Sequence, residues 1–336
     1  MTSTASILLS LSIALLSGLL LSRLVKKLQL PAVTAYLIAG VLIGPFMLGT
    51  LNIPGIGITT EQIEGFGIIS DLALGFIAFA MGNEFRMSQL KTFGKKAITI
   101  GILQAVITTV VVDIVLIVLH LLFPSLISLP CAITLGAIAS ATAPAATLMV
   151  VRQYKADGPL TRLLMLVVAI DDAVGLLLFA VSFGIASALS NGQVSVVAVV
   201  VEPLLEIVLS LGLGGLMGLA MHYVEKFFHS RSKRMSLSVG FVLLTVGLST
   251  LHFEVAGIHC GFSLLLVCMM TGTVFCNICP TSEELMERID NWVMPLNILF
   301  FVISGAELDL DVLESALDHS TELVQQRMEQ GQHSMW

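Results

Sequence analysis

Charge is what this sequence has least of. Asp, Glu, Lys and Arg make up 12% of its 336 residues, about half the roughly one quarter usual for soluble chains. Such a composition does not suit a soluble domain. Basic residues are fewer than acidic ones, 16 against 23, for a net charge of −7. No basic face occurs in mid-chain, which excludes nucleic-acid binding. The five cysteines are sparse and odd in number, which excludes a disulfide-stapled secreted fold. No Gly/Ser-rich or Pro-rich stretch provides an evident linker, so the chain reads as one body.

What fills the sequence instead is apolar run after apolar run, 56% of all residues. A membrane-spanning helix needs about 20 mostly apolar residues. Ten candidates qualify: 5–22, 31–49, 66–83, 97–123, 131–151, 163–189, 194–223, 237–254, 258–276 and 291–307. The first is a helix and not a signal peptide, because nothing basic precedes it and Arg23, Lys26 and Lys27 follow. The expectation is an all-α polytopic membrane protein of about ten transmembrane helices in a lipid bilayer.

Basic residues segregate between the gaps. Residues 50–65, 124–130, 190–193 and 255–257 hold no Lys or Arg, while the alternate gaps hold all the basic residues but Arg327. The basic loops are therefore expected in the cytoplasm, with the N-terminus outside the cell's inner (plasma) membrane.

Two pairs of segments look alike. Leu37-Ile-Ala-Gly-Val-Leu-Ile-Gly44 matches Leu266-Val-Cys-Met-Met-Thr-Gly-Thr273, and Phe79-Ala-Met-Gly-Asn-Glu-Phe85 matches Val302-Ile-Ser-Gly-Ala-Glu-Leu308. The partners lie seven spans apart, so they cross in opposite directions, as in the inverted repeats of secondary transporters. Spans eight to ten would echo one to three. The second repeat is incomplete, since 308–336 is acidic (Asp309, Asp311, Glu314, Asp318, Glu322, Glu329) and has no spanning run.

Span six carries the most informative feature, Ala169-Ile-Asp-Asp-Ala-Val-Gly175. Asp171 and Asp172 lie nine and ten residues beyond Arg162 at the cytoplasmic edge, roughly 14 Å at 1.5 Å per residue, about half-way across a ~30 Å core. An acid at that depth costs about 2.5–3.5 kcal/mol and marks a functional site. No basic residue within the span can pair with them. Neighbouring helical residues point about 100° apart, so one carboxylate can line a cavity while the other faces a helix. A proton and a cation can then exchange on the same oxygens.

Span five supplies Ser140-Ala-Thr-Ala-Pro-Ala-Ala-Thr147. Pro144 in mid-span frees a backbone carbonyl, and the Ser140 and Thr142 hydroxyls can satisfy that group or offer oxygens to a hard cation. A simple kink is the plainer reading. Beside an acid pair on the next helix, the ion-site reading gains weight.

Together these stretches resemble the monovalent cation:proton antiporter superfamily, in the branch of bacterial Na+/H+ antiporters and glutathione-gated K+ efflux systems. The resemblance rests on Leu30-Pro-Ala-Val-Thr-Ala-Tyr to Gly44-Pro45, Ser140-Ala-Thr-Ala-Pro144, Asp171-Asp172 and Pro295 to Gly305, and runs to about residue 310. It implies that Asp172 binds Na+ or K+ and H+ alternately, that Asp171 takes a charge partner, and that Thr142 sits at the crossover of a broken helix. It implies no cofactor, a role in pH homeostasis, and a homodimer. Residues 1–84 and 237–307 would form the dimer-facing scaffold and 194–223 a linker helix. Residues 97–189 would form part of a moving core, and 308–336 a polar tail foreign to the fold. The family pattern places a lysine in span eleven, whereas no Lys follows Lys233 here; it often has Asp where this chain has Ala143. That departure raises an alternative: a non-transporting fragment, or a scaffold half that needs a partner for the remaining core helices.

The other candidates are blander. Asp113, deep in span four, either faces the core cavity or is a hydrogen-bonded structural acid. Cys276-Asn-Ile-Cys279 lacks a second ligand pair for zinc and reads as reduced thiols. His252 and His259 flank an outer loop, and Glu202 and Glu206 lie near the outer end of span seven. An intramembrane aspartyl protease would need acids on separate helices and a Gly-x-Gly-Asp motif, which is missing.

Overall fold

A computed structural model of the chain describes residues 4–28, 30–51, 57–124, 127–191, 202–251, 253–255 and 258–310. The described helices are α1 (Thr4–Lys27), α2 (Ala32–Ile43), α3 (Thr60–Gly82), α4 (Met87–Leu122), α5 (Leu129–Ile138), α6 (Pro144–Gln153), α7 (Pro159–Asn191), α8 (Glu202–Glu225), α9 (Arg231–Ser249), α10 (Leu264–Ile278) and α11 (Ser282–Ala306). Short 3-10 turns follow α2 at Leu48–Leu51 and α3 at Asn83–Phe85. Helix is the expected answer for such sequences, because a chain in lipid has to satisfy its own backbone groups.

Six of these helices are long and apolar enough to cross a membrane: α1, α2 continued to Leu51, α3, α4, α8 and α11. The remaining predicted passes fall on the half-helices α5 and α6 and on α7, α9 and α10. The start of predicted span seven, 194–201, and the acidic tail from 311 lie outside the described residues.

One stretch departs from expectation. Spans eight and nine were expected to reach 254 and to begin at 258, but α9 stops at Ser249 and α10 starts at Leu264. Between them Phe253–Val255 (β1) pairs antiparallel with Ile258–Cys260 (β2). The missed signal is Ser263, whose hydroxyl accepts from the Leu266 N–H as an N-cap and fixes where α10 starts. His252 lies outside the described residues, and His259 is placed only by its backbone pairing with Glu254.

The chain divides into two compact units, 1–70 with 295–336, and 71–294. In the first, α1 packs on α2 through a stripe of small residues, with Ser10, Ala14 and Gly18 buried and Leu8, Leu16 and Leu20 outward. Gly40 of α2 lies against the Val302 carbonyl and the Gly305 Cα, and Gly305 in turn against the Leu37 carbonyl. In the second unit, Gly272 of α10 lies against the Phe79 carbonyl and the Gly82 Cα, and Gly82 against the Met269 carbonyl. The two glycine seams have the same pattern, contact for contact.

That correspondence corrects the alignment of the repeat. Phe79 with Val302 and Gly82 with Gly305 match as the sequence suggests, but Gly40 corresponds to Gly272 and Leu37 to Met269, three residues from the alignment by letters. Three residues are nearly one turn, so both registers put similar apolar residues on the same face. Only the close approach of backbones, which excludes a Cβ at the four glycines, separates them.

The second unit also contains the helices with the acid pair and the Pro144 break. Here α4, α5 and α7 pack on one another, and α6 packs on α7. Ala97, Leu166 and Val167 are buried together in this bundle, at the end nearer the basic residues. The opposite face of α4 is a continuous apolar surface of Ile107, Val110, Val111, Ile114, Val115 and Val118, all exposed, as suits contact with lipid tails.

Candidate functional site

Span five is broken where the sequence suggests. The helix α5 is capped by Ser128, whose hydroxyl accepts from the Cys131 N–H, and runs to Ile138. Residues 139–143 leave the helical path, and α6 restarts with Pro144 as its first residue. Proline suits that position, because the first N–H of a helix has no intrahelical acceptor anyway. Ala143 precedes it with φ −102° and ψ 86° and has no side chain to cap the new helix. Ser140 is buried and donates to the Ala137 carbonyl at 2.7 Å, satisfying part of the end of α5. The Thr142 hydroxyl oxygen is buried and makes no hydrogen bond.

Asp171 of α7 faces this break. It is 1% exposed, and neither carboxylate oxygen has a hydrogen-bond partner among the described residues. Thr142 and Gln104 are the polar side chains beside it, but neither completes a bond of good geometry. On the α4 side Gly101 leaves room: a Cβ there would stand 3.1 Å from the Ile170 side chain and 3.6 Å from Asp171 Oδ1. One turn further along α7, a Cβ at Gly175 would stand 3.9 Å from Ser140 Oγ. Asp172 is in the same helix, and its side chain lies outside the described residues.

The fold therefore brings Asp171, Thr142, Ser140 and Pro144 together. It adds Gln104, Gly101 and Gly175, which the sequence did not single out. Their only signal was a run of small or polar residues in otherwise apolar helices, which is common in membrane sequences. Asp113 is in the same bundle, further along α4, with one oxygen packed directly against the Cα of Gly136 in α5. That oxygen is buried and has no hydrogen bond among the described residues.

Charge is handled quite differently at the end of the second unit that bears the basic residues. Glu225, buried at the end of α8, accepts from the Cys279 thiol at 2.8 Å and from the Thr281 hydroxyl at 3.1 Å, and pairs with Arg234 at 3.5 Å. Burial, and then the neighbouring Glu225, raise the Cys279 thiol above its ordinary pKa. Cys276 turns away from it to the Thr273 and Gly82 carbonyls. Arg152, in the last turn of α6, pairs with Asp290 of α11 at 2.9 Å. In the α6–α7 turn Arg162 holds the Asp157 carboxyl below its usual pKa, by hydrogen bond and by charge.

The family model for the transmembrane sodium/hydrogen exchanger matches residues 11–324. The chain belongs to that family. The fold of this exchanger-family chain is also similar to that of solved structures of the sodium proton antiporter MjNhaP1 from Methanocaldococcus jannaschii. In the structure at pH 8 the TM-score is 0.67 at 19% identity, over 90% of this chain and 71% of that one. In a second, from electron microscopy, it is 0.64 at 20% identity, over 88% and 68%. A curated relative, K(+) efflux antiporter 5 of Arabidopsis thaliana, is 36% identical over 77 residues, 23% of this chain and 12% of the relative's own length. The exchanger-family chain is thus a multi-pass membrane protein whose fold is that of sodium proton antiporters.

Proposed function

We propose that the chain exchanges a monovalent cation, Na+ or K+, for H+ at the α4/α5–α6/α7 site, with Asp171 and Asp172 as the alternating acids and Thr142 as an oxygen donor at the helix break. Asp171 carries this reading. A carboxylate removed from water, with donors beside it but no completed hydrogen bond, cannot stay ionised and uncompensated without a large penalty. It needs either a proton or a cation, and both occupy the same oxygens. Competition at one acid is enough to couple the two ions: binding of one requires departure of the other. Ser140 and Pro144 hold the break open, and Gly101 leaves space on the opposite side.

The topology that goes with this reading has the basic loops in the cytoplasm, the N-terminus outside, an inner-membrane location and a dimer formed through residues 1–84 and 237–307. The K(+) efflux antiporter relative supports K+ as the cation and the sodium proton antiporter fold supports Na+.

In vesicles containing the full chain, Asp172→Asn and Asp171→Asn should each abolish cation-induced proton release. Exchange retained by both variants would refute the site.

A further inference from the structure

Beyond Asp171, α4 carries three polar side chains, two of them with a buried oxygen that has no partner among the described residues. Gln104 stands beside Asp171, Thr109 is 5% exposed with an unbonded hydroxyl oxygen, and Asp113 Oδ1 is buried and unbonded. Thr109 and Asp113, four residues apart, lie on the α5 side of the buried face of α4, whose centre is the stripe Gly101, Ala105 and Thr109; Gln104, about two and a half turns from Asp113, lies on the other edge, beside α7. The neighbours on the other face, Val110, Val111, Ile114 and Val115, are exposed and apolar. Asp113 lies 12 residues beyond Gly101, about 18 Å along the helix, towards the α4–α5 connection, which has no basic residue. The polar residues thus descend from that end of the bundle in a step of four residues along the α5 side, Asp113 to Thr109, and one of five that crosses the buried face towards α7, Thr109 to Gln104, about 6 and 7.5 Å of rise.

Gly136 decides how Asp113 is placed. Its missing side chain is what lets the carboxylate lie between α4 and α5, since any Cβ at 136 would overlap Asp113 Oδ1. An acid drawn into a helix interface, with no donor waiting for it, is expensive on structural grounds alone. A packing role is filled better by Leu or Val, which the rest of α4 uses freely.

We infer that Asp113 is a second cation-binding carboxylate, which passes the ion by way of Thr109 and Gln104 between the α4–α5 end of the bundle and the acid at Asp171. The inference rests on the proposed antiport site and assigns its access route on one side of the membrane. Asp113 acts on ions arriving from that side and not on those from the other.

The test is sided flux of Na+ and K+ in vesicles of both orientations, with Asp113→Asn set beside Asp171→Asn. Asp113→Asn should raise the half-saturating cation concentration at the α4–α5 face at least about five-fold, and leave the opposite face within about two-fold. Equal effects at both faces, or none, overturn the inference. If Asp171→Asn retains exchange, the antiport site fails by itself, and the sidedness of Asp113→Asn is still judged. A second measurement does not depend on turnover. Thr109→Cys, made together with Cys131→Ser and Cys260→Ser so that neither native thiol competes, should react with a membrane-impermeant cationic thiosulfonate added at the α4–α5 face, and Na+ should slow the reaction. A cysteine at 109 that stays unreactive from that face means a closed interface and overturns the route.

Discussion

The glycine seams and the α4–α7 bundle are made from the same small and apolar residues, yet they treat polar groups in opposite ways. At the seams, carbonyls of Val302, Leu37, Phe79 and Met269 are pressed onto glycines, and the approach is as close as main chain allows. Thr273 fills what is left by donating to the Gly82 carbonyl at 3.3 Å. In the bundle, glycines at 101 and 136 stand beside carboxylate oxygens of Asp171 and Asp113 that have no hydrogen-bond partner among the described residues. The same residue type locks helices together in one place and keeps a space open in the other. What differs is whether the neighbour is backbone or a carboxylate.

The strongest way to break this comparison is to add a methyl group at a seam. Gly40→Ala and Gly272→Ala should each cost about 1–3 kcal/mol or more, because backbone cannot step aside. Gly240→Ala in α9, where a Cβ meets nothing within 4 Å, should be neutral or slightly stabilising. Thermal melting of the purified protein in detergent separates the cases, and similar losses at positions 40 and 240 would count against the seams.

The next contrast concerns the bundle. Asp171→Asn should raise the melting temperature in the absence of cation, since an amide is neutral without having to take up a proton to remain buried, even as exchange is lost. In the wild type, Na+ at about 100 times its Kd should add about 2.7 kcal/mol, and the variant should lose that gain. A variant less stable than wild type without cation would mean that Asp171 is structural.

Smaller effects are expected at the exposed ends of the helices. Asp290→Asn breaks the half-exposed pair with Arg152, which is worth about 0.2–1 kcal/mol in melting experiments. The smallest effect belongs to Asp157, which is fully exposed. Its carboxyl titrates below the ordinary range when folded, so its small stabilising effect is present above the unfolded pKa and disappears as pH falls through the folded one. Wild type and Asp157→Asn should therefore melt slightly apart at neutral pH and together in acid.

Much of this was legible in the sequence, and for local reasons. Pro144 announces the break because proline lacks an N–H, and the acids at 171 and 172 stand out because almost nothing else in span six is polar. Ten apolar runs and the order of the basic loops led to the helical plan. What escaped is set by distant packing. The three-residue shift of the repeat depends on which carbonyl meets which glycine, and two nearly equivalent helical faces look the same in letters. Gln104, Thr109 and Gly136 gain their meaning from helices that are neighbours in space, and no spacing within α4 or α5 reveals it. The β1–β2 ribbon was hidden in apolar residues that could equally have continued α9.

A joint made of main chain has a further property. Gly40, Gly82, Gly272 and Gly305 have no rotamers to freeze when the helices close, so the seams form without the entropy loss of roughly 0.5–1 kcal/mol that each ordered Leu or Ile would bring. Heating therefore loosens the side-chain-packed helices before it reaches these four residues, and the last tertiary contacts to melt should be the ones without side chains.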